Sequence, residues 1–162
     1  MLSRRGRAIA LGGLTVGVLD GLDAILFFGA RGVPPHRIFQ AVAGGLLGKA
    51  TFTGGAATTL LGVLLHFTIA TTIAGIYIIA SRRLPALATR PLFWGPLYGL
   101  AAYLVMNLVV VPLSAATGAP KTPPVIVNGV LIHLLGVGLP SALWARWASR
   151  PPSPLAGEGD RG

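Results

Sequence analysis

Two carboxylates, Asp20 and Asp23, stand inside AIALGGLTVGVLDGLDAILFFGA, residues 8–30, a run that is otherwise apolar. Two histidines, His66 and His133, and two asparagines, Asn107 and Asn128, are set in further apolar runs. A carboxylate at the centre of a membrane span costs about 2.5–3.5 kcal/mol on insertion scales, so it is rare there and needs a partner. Carboxylate and imidazole together can exchange a proton, attract a cation or hold a divalent metal, whereas an amide only donates and accepts hydrogen bonds. The remaining acids, Glu158 and Asp160, fall in the terminal PPSPLAGEGDRG. There is no cysteine, which removes thiolate nucleophiles, disulfides and zinc–thiolate sites from consideration.

The elements that must position these groups are long apolar helices. A hydrocarbon core about 30 Å thick is crossed by about 20 apolar residues in helical form. Four runs meet that requirement, over about 8–30, 56–80, 92–113 and 125–148. They predict an all-α, integral membrane four-helix bundle in a single transmembrane domain over 1–148. Composition agrees: 53% of residues are hydrophobic and 10% charged, against about 25% charged in an ordinary soluble domain. Residues 36–50 are apolar between Arg37 and Lys49 but too short to span, and read as an interfacial or re-entrant helix between helices 1 and 2. The Pro- and Gly-rich stretch over 149–162 is expected to be a disordered tail.

The formal charge of +9 would suggest nucleic acid in a soluble protein. Here the bases flank apolar segments, which is how membrane topology is written, and no nucleic-acid recognition module is present. The opening MLSRRGRAIALGG has the basic start of a signal peptide. Its apolar run is longer than the 7–15 residues, roughly, of a signal core, so an uncleaved first helix is expected. Placing the N-terminus inside puts nine bases on the cytoplasmic side and four (Arg31, Arg37, Lys49, Lys121) outside. That predicts cytoplasmic N- and C-termini, with Trp94, Trp144 and Trp147 at the cytoplasmic interface.

Within helix 1, Gly13, Gly17 and Gly21 recur every fourth residue, the small-residue spacing that lets another helix approach closely in lipid. At about 100° per residue, Asp20 falls within about 20° of Gly13 and Asp23 about 60° further round. Both acids are therefore expected to face packed protein. Counted from the outer helix ends, Asp20, Asp23, His66, Asn107 and His133 fall in a slab about 6 Å thick, with Asn128 shallower. Three readings are open. The polar groups tie helices together; or they form a proton or ion site open to the outer side; or the acids and histidines hold a metal. A structural or accessory subunit, packing against itself or a membrane-protein partner through its Gly-rich faces, is the alternative function. Transport through four helices would need a homo-oligomer for room.

Asp20-Gly21-Leu22-Asp23-Ala24 resembles the Asp-Gly-x-x-Ala-Arg opening of the CDP-alcohol phosphotransferases. Ile25 stands where arginine should follow, and the later Gly-x-x-x-Asp-x-x-x-Asp is missing, so that enzyme class is set aside. No G-x-x-x-x-G-K-[ST] loop is present, and no cofactor is expected. A wider pattern joins His66, Ile76-Tyr77 and Leu84-Pro85 to Met106-Asn107, Val111-Pro112-Leu113, Gly118-Ala119-Pro120, Asn128-Gly129 and His133. Together these resemble small bacterial inner-membrane proteins of the YagU type, a family of unknown function. The resemblance covers about residues 8–148 and implies a bacterial inner-membrane location without implying a reaction.

Overall fold

The computed structural model describes residues 2–118 and 120–150. Six helices follow one another among them: α1 (Arg4–Gly29), α2 (Pro35–Leu47), α3 (Gly55–Ala80), the short α4 (Ala86–Thr89), α5 (Pro91–Leu113) and α6 (Pro123–Ser149). A 3-10 turn, Gly48–Thr53, joins α2 to α3. No strand occurs among the described residues. The helices α1, α3, α5 and α6 are each long and apolar enough to cross a membrane, with mean hydropathy between 1.7 and 2.0. The chain is an all-α four-helix bundle with one short helix between its first two long ones. Of the tail expected over 149–162, Ser149 closes α6, and residues from 151 lie outside those described.

Local chemistry sets the boundaries. Helix α1 starts four residues before the apolar run because Ser3 caps it, its Oγ accepting from the Gly6 N–H at 3.1 Å. It stops at a turn where Gly32 takes φ +84°, a conformation costly for residues with a Cβ. Pro35 then opens α2 at a position where no backbone donor is needed. Both α5 and α6 widen to π geometry, over Met106–Val110 and His133–Gly138. Each π segment ends two residues before a proline, Pro112 and Pro140. A proline lacks the N–H for the i−4 carbonyl, and its ring crowds that carbonyl, so the preceding turn opens.

Helix α1 packs against both α3 and α6, which run antiparallel to it and also touch each other; α5 packs against α6 and reaches α3 through Tyr98, whose hydroxyl donates to the Ile73 carbonyl at 2.7 Å. Small residues make the seams. Gly13 lies against Thr71 and Gly17 against Phe67 and Ala70 at the α1–α3 seam, while Gly95, Gly99 and Gly138 bring the α5 and α6 backbones together. The fully buried side chains are mostly small, with Val16, Ala70, Ala74 and Val137 at one level and Ala8, Tyr77, Ile78, Ala142 and Ala145 nearer the terminal end. Large aliphatics point outward instead: Leu26, Leu64 and Leu108 are all well exposed. This inversion of the soluble pattern suits a lipid solvent, in which leucine gains nothing by burial and close backbone approach supplies the association.

Candidate functional site

Helix α1 presents its two acids to different neighbours. Asp20 faces α3, where its Oδ2 lies 3.9 Å from His66 Nδ1. Asp23, one step round the helix, faces α6 and accepts a 2.7 Å hydrogen bond from Asn128 Nδ2. The expected rotation of about 60° between the acids is what divides them between two seams. His133 lies within electrostatic reach of Asp23, as does Asp20. One stretch of α1 thus gathers polar groups from α3 and α6.

His66 is held tightly. Its Nε2 is 2.8 Å from the Gly17 carbonyl, a contact made possible because Gly17 and Gly21 carry no side chain at the seam. Gly21 leaves the room directly, since a Cβ there would stand 3.2 Å from His66 Nε2. The ring is flanked edge-to-face by Phe67 at 5.4 Å and by Phe39 of α2 at 5.9 Å. A carbonyl oxygen only accepts, so Nε2 carries the proton in this contact. Nδ1 is the nitrogen that faces Asp20. At 3.9 Å the two groups are within ion-pair range but beyond hydrogen-bond length.

The other two candidates are tied to their own helix. His133 Nδ1 lies 2.8 Å from the Gly129 carbonyl one turn earlier, with the Tyr103 ring edge-on at 5.3 Å. Asn107 Nδ2 donates to the Tyr103 carbonyl at 3.0 Å, in the π segment of α5. That local bond uses the amide on α5 itself and does not link it to α1. Among the described residues, no three of His, Asp and Glu converge as a metal site would require. Gly13, Gly17 and Gly21 are all buried, Gly13 and Gly17 against α3 residues and Gly21 beside His66. Within the chain, the stripe packs against α3.

Two features were not singled out by sequence reasoning. The first is the α5–α6 glycine seam, although Gly95-x-x-x-Gly99 has the same spacing as the stripe in α1. The second is a polar knot around Gln40, the chain's single glutamine. Gln40 Nε2 donates to the Gly55 carbonyl at 3.1 Å and to Thr58 Oγ1 at 3.2 Å. Thr51 Oγ1 donates to the Gln40 carbonyl at 2.9 Å, and Thr58 Oγ1 to the Thr51 carbonyl at 2.7 Å. A glutamine inside a short apolar run was the available signal.

The long helices bring their bases to opposite ends. Arg4, Arg5 and Arg7, then Arg82, Arg83 and Arg90, then Arg146 and Arg150 cluster at the end where α1 begins and α6 stops. Arg4 donates to the Arg150 carbonyl at 2.6 Å and its guanidinium covers the Trp147 ring at 4.8 Å. Trp144 Nε1 donates to Thr15 Oγ1 at 3.1 Å nearby. No family model, no curated protein and no solved structure matches this chain.

Proposed function

We propose that this chain is a small multi-pass protein of a bacterial inner membrane, of the YagU type, that handles protons through an Asp/His site in the outer half of its bundle. The N- and C-terminal ends are cytoplasmic in this reading. The concentration of arginines at that end supports the orientation by the positive-inside rule, and the tryptophans beside them suit an interface.

One observation carries the functional part: His66 Nε2 is committed to the Gly17 carbonyl while Nδ1 faces Asp20 at 3.9 Å. A neutral ring in that tautomer turns a lone pair toward a carboxylate, and two lone pairs repel. The pair is satisfied when it holds one further proton, on the imidazole or on the carboxyl. Asp20 and His66 together therefore act as a one-proton store. Asp23, hydrogen-bonded to Asn128, lies close enough for its charge to influence the store. Ionisable groups placed on the inner faces of spanning helices are the usual parts of such relays. Packing alone would be served as well by uncharged polar groups at lower insertion cost.

The test uses vesicles reconstituted with the full chain and an entrapped pH dye, challenged by an external acid pulse. Asp20→Asn, Asp23→Asn and the double variant are compared with the parent for folded yield and for the dye response. The proposal expects yield to hold while the response above empty vesicles falls at least severalfold for Asp20→Asn. A parent protein that responds no more than empty vesicles, or variants that respond like the parent, would reduce both acids to packing groups.

A further inference from the structure

A cleft of about 710 Å³ opens between α2, the 3-10 turn and the start of α3, far from the arginine-rich end. Its polar lining includes Arg37, His36, Gln40, Thr53 and Thr59, and its apolar wall includes Phe52, Leu60 and Val63. Three features make its mouth fit an anion. Arg37 is exposed; its guanidinium lies 5.4 Å over the Phe52 ring, and Nη1 donates to the Phe52 carbonyl at 3.1 Å. The remaining guanidinium donors are free to bind a planar or tetrahedral anion. The first turn of α3, with Gly55, Ala56 and Thr59 on the cleft, has no side-chain cap for its N–H groups, and that end of a helix favours negative charge.

Gln40 supplies the independent indication. It is 2% exposed, and its Oε1 is buried with no hydrogen-bond partner among the described residues. The amide orientation is fixed by its neighbours: the Gly55 carbonyl only accepts, and Thr58 Oγ1 gives its proton to the Thr51 carbonyl. The nitrogen must face them, which leaves the oxygen as a buried, unused acceptor on a residue that lines the cleft. A buried polar group without a partner is costly and calls for an explanation. An incoming N–H or O–H donor, met by a small side-chain shift, would satisfy it.

The position of the cleft chooses the ligand. Helix α3 has 26 residues, about 39 Å at 1.5 Å per residue, against a hydrocarbon core about 30 Å thick. Its first turn therefore reaches the headgroup zone. The cleft runs from Gly55 to Val63, about 12 Å along the axis, from headgroup level into the outer acyl layer. Polar groups line the shallow end and aliphatic side chains the deep end. We infer that this cleft binds one glycerophospholipid, its phosphodiester at Arg37 and the α3 first turn, its headgroup amine or hydroxyl at Gln40 Oε1, and its acyl chain along Leu60 and Val63. The proposal shares only the membrane placement with the proton-site reading. None of Asp20, Asp23 and His66 lines the cleft, so the two fail separately.

The headgroup chemistry makes this testable. Phosphatidylethanolamine and phosphatidylglycerol carry a donor beyond the phosphate, and phosphatidylcholine carries none. The full chain, purified in a neutral detergent, is titrated with each lipid and with inorganic phosphate, and one-to-one lipid adducts are counted by native mass spectrometry. The expected result is one retained ethanolamine or glycerol lipid, about tenfold weaker retention of the choline lipid, and no effect of phosphate. Arg37→Gln, at an exposed position, should reduce retention about tenfold without loss of folded protein. Gln40→Leu should erase the headgroup preference; because Gln40 also ties α2 to α3, Leu60→Trp, which fills the cleft from an exposed position, serves where that variant fails to fold. Equal retention of all three lipids, or unchanged retention in Arg37→Gln, would show ordinary annular lipid and overturn the proposal. Competition by phosphate alone would make this a free-anion site and also overturn it.

Discussion

Asp23 and Asn128 are 105 positions apart in the chain and joined by a 2.7 Å hydrogen bond between α1 and α6. Neither residue has a comparable contact on its own helix, so the bond fixes the relative rotation of the two helices. Asn128→Leu should destabilise the bundle by about 1 kcal/mol, the low end of the cost of leaving a part-buried group without its donor. Asp23→Leu with Asn128→Leu should recover most of that loss, since neither group is then unsatisfied. A double-mutant cycle, read by unfolding in mixed micelles, should give a coupling no larger than about 1.7 kcal/mol, the upper end for hydrogen bonds between membrane helices. Strictly additive effects would mean the contact contributes nothing to stability.

The glycines of α1 should not be equally replaceable, because what a methyl group would meet differs along the seam. At Gly13 the obstacle is backbone, the Thr71 Cα at 2.6 Å; at Gly17 it is the Phe67 ring at 2.5 Å; at Gly21 it is His66 Nε2 at 3.2 Å. A ring can rotate, whereas a helix backbone can move only as a unit. Gly13→Ala should cost most, at the upper end of the roughly 1–3 kcal/mol typical of overpacking. Gly17→Ala should cost less, and Gly21→Ala should disturb His66 more than stability. Folded yield in detergent and thermal midpoint measure the series, and a reversed order would place the tight seam elsewhere.

The long helices were legible because apolar length is a direct physical requirement of a bilayer. The observed α3 and α5 begin one residue from their expected starts, and α1 differs by the Ser3 cap that hydropathy does not register. The rotation of about 60° between Asp20 and Asp23 was legible from helical geometry alone, but not that it sends them to two different seams. Which side chains they meet was not, since depth along a helix says nothing of which helices are adjacent. Asn107 illustrates this: its depth matched the others, yet the π turn before Pro112 leaves its amide bonded to Tyr103. The Gln40 knot was hidden for another reason, because a short segment's depth in the membrane depends on what it packs against.

The tautomer of His66 is a direct check on the proton store. In histidine-¹⁵N-labelled protein, His66 Nε2 should remain protonated across the titration while Nδ1 alone changes state. Gly17 must hold the ring in this way, since its carbonyl at 2.8 Å has no proton to give. Asp20→Asn should leave the Nε2 signal in place and shift the Nδ1 resonance, because only Nδ1 faces residue 20. Protonation found on Nδ1 in the neutral ring would reverse the geometry on which the store depends.

The α5–α6 seam should be the least forgiving part of the bundle. A Cβ at Gly99 would collide with the His133 carbonyl and stand 2.9 Å from Leu134 Cα. Relief requires moving the π segment that carries His133, and with it the edge-on contact to Tyr103 at 5.3 Å. Gly99→Ala should therefore cost at least the roughly 1–3 kcal/mol of ordinary overpacking and shift the Tyr103 and His133 resonances. Gly29, at the end of α1, has nothing within 4 Å of an added Cβ. Gly29→Ala should be neutral or stabilise by up to about 1 kcal/mol, the helix preference of alanine over glycine. Thermal midpoints of the two variants, measured side by side, separate close approach from general sensitivity to glycine replacement. If Gly99→Ala is as harmless as Gly29→Ala, the α5 and α6 backbones are not in contact, and His133 is positioned by something other than this seam.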